Sequence, residues 1–173
     1  MEHDDTRSVR PANNDALFGD VAGLIDGARR RVAATVNSEL VMLYWSVGKR
    51  VREEVLGGER GEYGQQVVKR LSDRLTERYG RGWSQRGIER MVAFAEAYPD
   101  QEIATPLASQ LTWTNLAELL TVPEQQKRDF YTAFAAHERW SKRTLRAKIA
   151  SKLYERPSRR AAPPTASRSI WLR

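Results

Sequence analysis

Four side chains on one short stretch, Arg81, Gln85, Arg86 and Arg90, have the chemistry and spacing to read a nucleic acid. Arginine and glutamine carry forked donors that pair with base edges in the major groove, and a recognition helix offers such groups from its first turns. Ser84 is placed to cap the helix that presents them, with Ile88, Met91, Val92 and Ala95 turned inward and Pro99 closing it. Any solvated helix surface carries similar charges, Glu89 among them, so both readings stay open on the pattern alone.

A second cationic group follows Ser141. Lys142, Arg143, Arg146, Lys148 and Lys152 surround the narrow apolar stripe Leu145, Ile149 and Leu153, and Arg156, Arg159 and Arg160 carry the charge onward. Clustered Lys and Arg neutralise phosphates and release their counterions, which gives affinity without sequence choice. The formal charge of +7 lies wholly in this region: residues 1–140 hold 19 Lys/Arg against 21 Asp/Glu, residues 141–173 ten against one. The high isoelectric point therefore describes a helix and tail and not a whole domain surface.

Catalytic chemistry finds little support. The chain has no cysteine, which excludes disulfides, thiol catalysis and cysteine-held metals. His3 and His137 are far apart and neither has a partner four residues on, so no metal site and no cofactor is expected. Glu39, flanked by Asn37 and Ser38 and near Tyr44 and Trp45, stands in an apolar turn where a carboxylate would need a partner, and a structural hydrogen bond is the expected role. Arg29, Arg30 and Arg31 read as a solvated face. Trp83, Trp113 and Trp140 each adjoin a Ser or Thr helix cap, as hydrophobic staples do.

The elements that must position these groups are helical. Apolar residues recur every three or four positions from Val21 through Leu24, Ala28, Val32, Val36, Leu40, Leu43, Val47, Val51 and Val55, predicting one long helix over 15–56, capped near Asn14 or Asp15. Around 40–45 the apolar stripe widens to the full circumference, predicting burial on every side. Gly57 and Gly58 end the helix. A second helix over 62–79 shows Tyr63, Val67, Leu71, Leu75 and Tyr79 on one face. With the Ser84 helix it forms a helix-turn-helix-like pair. Residues 99–110, with Pro99 and Pro106, read as a linker. A short helix capped by Thr112 follows, then one with Pro123 as its first residue, and then the Ser141 helix. The expectation is an all-α domain over 15–156, between a disordered leader at 1–14 and a disordered basic tail at 157–173.

Several of these segments together resemble the YhcG-like proteins. The resemblance is carried by 28–40 with Tyr44, Trp45 and Gly48, by Glu62-Tyr63-Gly64 with Leu71-Ser72, and by 79–84. Ser109-Gln110-Leu111-Thr112-Trp113 and Trp140-Ser141 with Leu145 continue it, in order, across about residues 20–155. The resemblance implies the helical N-terminal domain of a bacterial family, suspected of binding DNA, that normally precedes a PD-(D/E)XK nuclease domain. The eighteen residues after Glu155 hold no Asp…Glu-x-Lys constellation for a catalytic divalent metal. A non-catalytic domain that binds duplex DNA is the resulting expectation, with Arg81, Gln85, Arg86, Arg90, Lys142, Arg143, Arg146, Lys148 and Lys152 as its contacts. The alternative is an interaction module whose long first helix pairs with a copy of itself or with a full-length YhcG-like nuclease. No run approaches the roughly twenty apolar residues of a membrane span, and the acidic start is unlike a signal peptide, so a cytoplasmic location without membrane attachment is expected.

Overall fold

The computed structural model describes residues 12–56 and 62–155. Residues 1–11 of the expected leader, the Gly57–Gly58 stop and the expected tail lie outside them. Seven α-helices account for almost all of the described residues, and no strand occurs among them: α1 Ala12–Leu56, α2 Glu62–Tyr79, α3 Gln85–Ala97, α4 Gln101–Gln110, α5 Trp113–Leu119, α6 Gln125–His137 and α7 Lys142–Ala150. Short 3-10 turns occupy Arg81–Trp83 and Leu153–Glu155. The chain divides into two compact units at Val36/Asn37, inside α1.

In the first unit, α1 starts at Ala12, ahead of the Asn14 or Asp15 cap that the sequence suggested. Its large apolar side chains from Leu17 to Val36 are exposed. In the second unit the main core gathers Val41 and Trp45 of α1 with Phe94, Tyr98, Leu107, Leu111, Leu116, Leu119, Tyr131 and Leu145. A smaller cluster joins Val51 of α1, Val68 of α2 and Ile88 of α3. The buried stripe of α1 runs through Val41, Trp45, Gly48 and Val51, so of the expected period only Val51 is buried, with Val47 and Val55 half-buried. The widening at 40–45 is not realised: Leu40 and Leu43 remain 40% and 47% exposed, because the core flanks only the Val41–Trp45 side. Tyr63 and Tyr79 at the ends of α2 are likewise exposed.

Close approach of α1 to α3 depends on Gly48, where a Cβ would overlap the backbone carbonyl of Met91. No side chain larger than hydrogen fits without moving a helix. Gly64 serves α2 in a milder way, since its Cβ would stand 2.8 Å from Val55 Cγ1. At the start of the second unit Asn37 donates to the carbonyl oxygens of Ala108 at 3.1 Å and Leu111 at 2.9 Å, satisfying acceptors that the end of α4 leaves open. Ser38 adds a bond to Ala108 O at 3.3 Å. The structural hydrogen bond expected around Glu39 is made by these neighbours, while Glu39 itself is exposed.

Residues 99–110 are not a linker. Asp100 occupies the N-cap position of α4, and Pro106 lies within the helix. Ala104, Leu107 and Ala108 turn inward and Leu111 follows, an i, i+3, i+4, i+7 set half of whose members are too small to stand out as hydrophobic. Their burial outweighs the one hydrogen bond that proline removes. Pro123 also differs from its expected place: α6 begins at Gln125 with Glu124 as N-cap, so the proline precedes the helix.

Candidate nucleic-acid interface

The three hydroxyl caps position both cationic helices as the sequence indicated. Ser84 Oγ accepts from Gly87 N at 3.2 Å and starts α3, Thr112 Oγ1 accepts from Asn115 N at 3.3 Å and starts α5, and Ser141 Oγ accepts from Thr144 N at 3.2 Å and starts α7. Ser72 Oγ donates to Trp83 O at 2.9 Å, tying α2 to the turn before Ser84. α2, the turn and α3 thus pack against one another in sequence order.

The tryptophans do more than adjoin caps. Trp83 and Trp113 both meet Tyr44 of α1, with ring centroids 6.0 and 4.8 Å away, and Trp113 also meets Phe94 of α3 at 5.8 Å. The starts of α3 and α5 are thereby clamped to the same aromatic ring of α1. Trp140, before α7, stacks on Phe134 of α6 at 5.9 Å, and its carbonyl accepts from Asn115 Nδ2 at 2.8 Å. These ring contacts and the buried polar bond fix the angle at which α7 leaves the core.

Helix α5 packs against both cationic helices, and its Glu118 pairs with Arg146 of α7. Its carboxylate takes both arms of Arg146, from Nε at 2.9 Å and Nη2 at 2.8 Å, in the bidentate geometry that arginine and carboxylate favour. The Glu118 side chain is 11% exposed while that of Arg146 is 63% exposed, so the acid lies at the base of the cluster and the cation on its rim. The Arg146 hydrogen bonds hold the Glu118 carboxyl below its ordinary value against the opposing effect of burial. The charges of Arg146, Lys142 and Arg90 add to this pull. Arg90 from α3 and Lys142 with Arg146 from α7, remote in sequence, thus act on a single carboxylate. Nothing in the sequence marks Glu118, a lone acid on a seven-residue helix.

The remaining candidate residues divide. Arg81 and Arg86 are exposed on the turn and first turns of α3, and Arg143 is exposed at the start of α7. Gln85 is half-buried, and its Nε2 donates to Glu89 at 3.0 Å, which occupies one of the two donors of its amide. Lys148 stands two residues beyond Arg146, hence on another flank of α7, over the Trp140 ring at 5.7 Å. Lys152 follows α7 with a positive φ of 50° and is exposed. Of the cations on and just after α7, Arg146 is thus tied to Glu118 and Lys148 to Trp140, while Lys142, Arg143 and Lys152 are exposed.

Among the described residues no group of three or more His, Asp or Glu side chains is placed to hold a metal ion, and no helix is long and apolar enough to cross a membrane. Residues 20–156 match the family described as the DUF1016 N-terminal domain. Among curated proteins the chain is similar to "Putative nuclease YhcG" of Escherichia coli strain K12, with 31% identity across 84% of this chain and 47% of the relative. It spans about half the length of that relative. No solved structure matches.

Proposed function

The chain belongs to the family of DUF1016 N-terminal domains, and from that premise we propose that it is a non-catalytic module that binds duplex DNA. The observation that supports this reading is that α3 and α7, the two cationic helices, both pack against α5, with Arg146 of α7 pinned to Glu118 there. A relative whose printed name is that of a nuclease supports nucleic acid as the partner class.

In the proposed binding mode, the first turns of α3 enter the major groove. Arg86 and Arg90 reach base edges from there, with Arg81 at the groove margin. Lys142, Arg143 and Arg146 take phosphates of the flanking backbone, where contacts position without selecting sequence. Glu118 holds Arg146 aligned but competes for it, so the acid limits affinity while it orients the cation.

Gel-shift titration with duplex DNA at two salt concentrations tests the proposal. Replacing Arg86 and Arg90 by Ala should abolish preference among sequences, since each arginine–base pair contributes about 1–3 kcal/mol of discrimination. Replacing Lys142 and Arg146 by Ala should weaken all sequences alike and reduce the salt slope by roughly one unit for each phosphate that is no longer neutralised. Glu118→Gln should tighten binding. Absence of any shift at about 50 mM salt, where phosphate-driven binding is strong, would overturn the proposal. Supercoiled plasmid incubated with magnesium or manganese should stay intact.

A further inference from the structure

Between Phe18 and Thr35, α1 carries an apolar pattern with an unusual symmetry. Taking Phe18, Val21, Ile25, Ala28, Val32 and Thr35, the intervals are three, four, three, four and three, a heptad a/d stripe that reads the same in both directions. The large members of this stripe are exposed: Phe18 is 75% exposed, Val32 63% and Ile25 48%. Leu17, Leu24 and Val36 widen the stripe on its flanks and are exposed as well. A run of this kind on a single helix is half of a two-helix seam.

The charges of the same segment are divided between its ends. Asp20 and Asp26 lie in the first part, and Arg29, Arg30 and Arg31 in the second, all exposed. A parallel partner would set acid level with acid and arginine level with arginine. An antiparallel copy centred between Asp26 and Gly27 instead stacks Phe18 on Thr35, Val21 on Val32 and Ile25 on Ala28. In that register Asp20 comes within two residues, roughly 3 Å of helix rise, of the partner's Arg31, and Asp26 equally close to the partner's Arg29. Each such pair also falls on one flank of the seam: Asp20 and Arg31 occupy heptad positions c and g, Asp26 and Arg29 positions b and e. The symmetric stripe admits the antiparallel register, and the charges select it over the parallel one.

We propose that residues 18–35 form an antiparallel two-helix pairing with a second copy of this chain, so that the functional unit is a homodimer. The pairing does not rest on DNA binding, and its tests contain no DNA, so either reading can fail alone. Sedimentation of the full chain should give twice the 19.8 kDa mass of the monomer at micromolar concentration.

Because the chain has no cysteine, orientation can be read from introduced ones. A mixture of Val21→Cys and Val32→Cys chains should form an intermolecular disulfide on mild oxidation. Neither variant alone should do so, since two copies of position 21 would stand roughly 16 Å apart along the axis. Charge exchange supplies a second readout. Asp20→Arg with Asp26→Arg, and Arg29→Asp with Arg31→Asp, should each weaken self-association at least tenfold, and mixing the two variant chains should restore it. Circular dichroism on the same samples should show unchanged helix. A monomeric parent chain overturns the pairing, efficient self-cross-linking of either single variant overturns the antiparallel orientation, and failure of the mixed charge variants to associate overturns the register.

Discussion

The two parts of α1 on either side of the Val36/Asn37 division carry apolar residues at the same three-and-four spacing, but they end in opposite environments. After Asn37 the stripe is consumed: Val41 is fully buried, Trp45 donates from Nε1 to Tyr98 O at 2.7 Å, and Val51 packs with Val68 and Ile88. Before Asn37 the same period leaves Phe18, Leu24 and Val32 facing solvent. Periodicity fixes that a helix has a face to bury, and it is silent on whether the covering surface comes from the same chain or another. What separates the two parts is the detail between apolar positions. In the buried part a glycine admits a neighbouring backbone; in the exposed part the charges are segregated along the helix, as a pairing between copies requires.

Substitutions placed in matched positions of the two parts test this contrast. The largest effect is expected at Gly48, where Ala must displace the Met91 carbonyl. A loss of about 3 kcal/mol in urea unfolding followed by circular dichroism is expected from such overpacking. Val41→Ala should cost about 2 kcal/mol through the loss of fully buried methyls. Its counterpart Val32→Ala, at a residue 63% exposed, should leave unfolding within about 0.5 kcal/mol and act only on self-association.

At the junction itself, Asn37→Ala removes the donor shared by the Ala108 and Leu111 carbonyls and should cost about 1–2 kcal/mol in the same urea experiment. Asn37→Asp should cost more, since it sets carboxylate oxygens against those carbonyls. Gly23→Ala, with nothing within 4 Å of the added methyl, should reverse the sign seen at Gly48 and stabilise the helix by roughly 0.5–1 kcal/mol.

The smallest effect concerns pH. Glu118 has a folded-state value below its ordinary 4.5, so its contribution is present above that value and is lost as pH falls through the lower folded one. With Arg146 mostly exposed, the contribution should stay below about 1 kcal/mol. Thermal melts across the acid range should show a flatter decline for Glu118→Gln than for the parent chain.

How far the sequence reached differs by element for physical reasons. The caps at Ser84, Thr112 and Ser141 were legible because a hydroxyl before an apolar period has a local meaning, and each makes its expected bond. Helix α4 was not, since two prolines obscure a face half of which is alanine, and only the tertiary contacts of Ala104 and Ala108 reveal what that face is for. Within the candidate interface, the basic residues of α3 and α7 were legible as separate groups. Their common packing against α5, with Arg146 pinned to Glu118, was not, because it is a juxtaposition without local signature. The same holds for Tyr44, whose clasp by Trp83 and Trp113 spans three helices.

The bond from Asn37 to Leu111 joins residues 74 positions apart. On a ribosome adding about 5–20 residues per second, α1 therefore waits roughly 4–15 seconds after Asn37 is made before the acceptors for that side chain exist. Val41 and Trp45 are likewise made well before Phe94, Leu107 and Leu116, with which they share the core. The order of synthesis, with α1 ahead of the helices that cover it, thus sets how long its core-forming side chains stay without their cover.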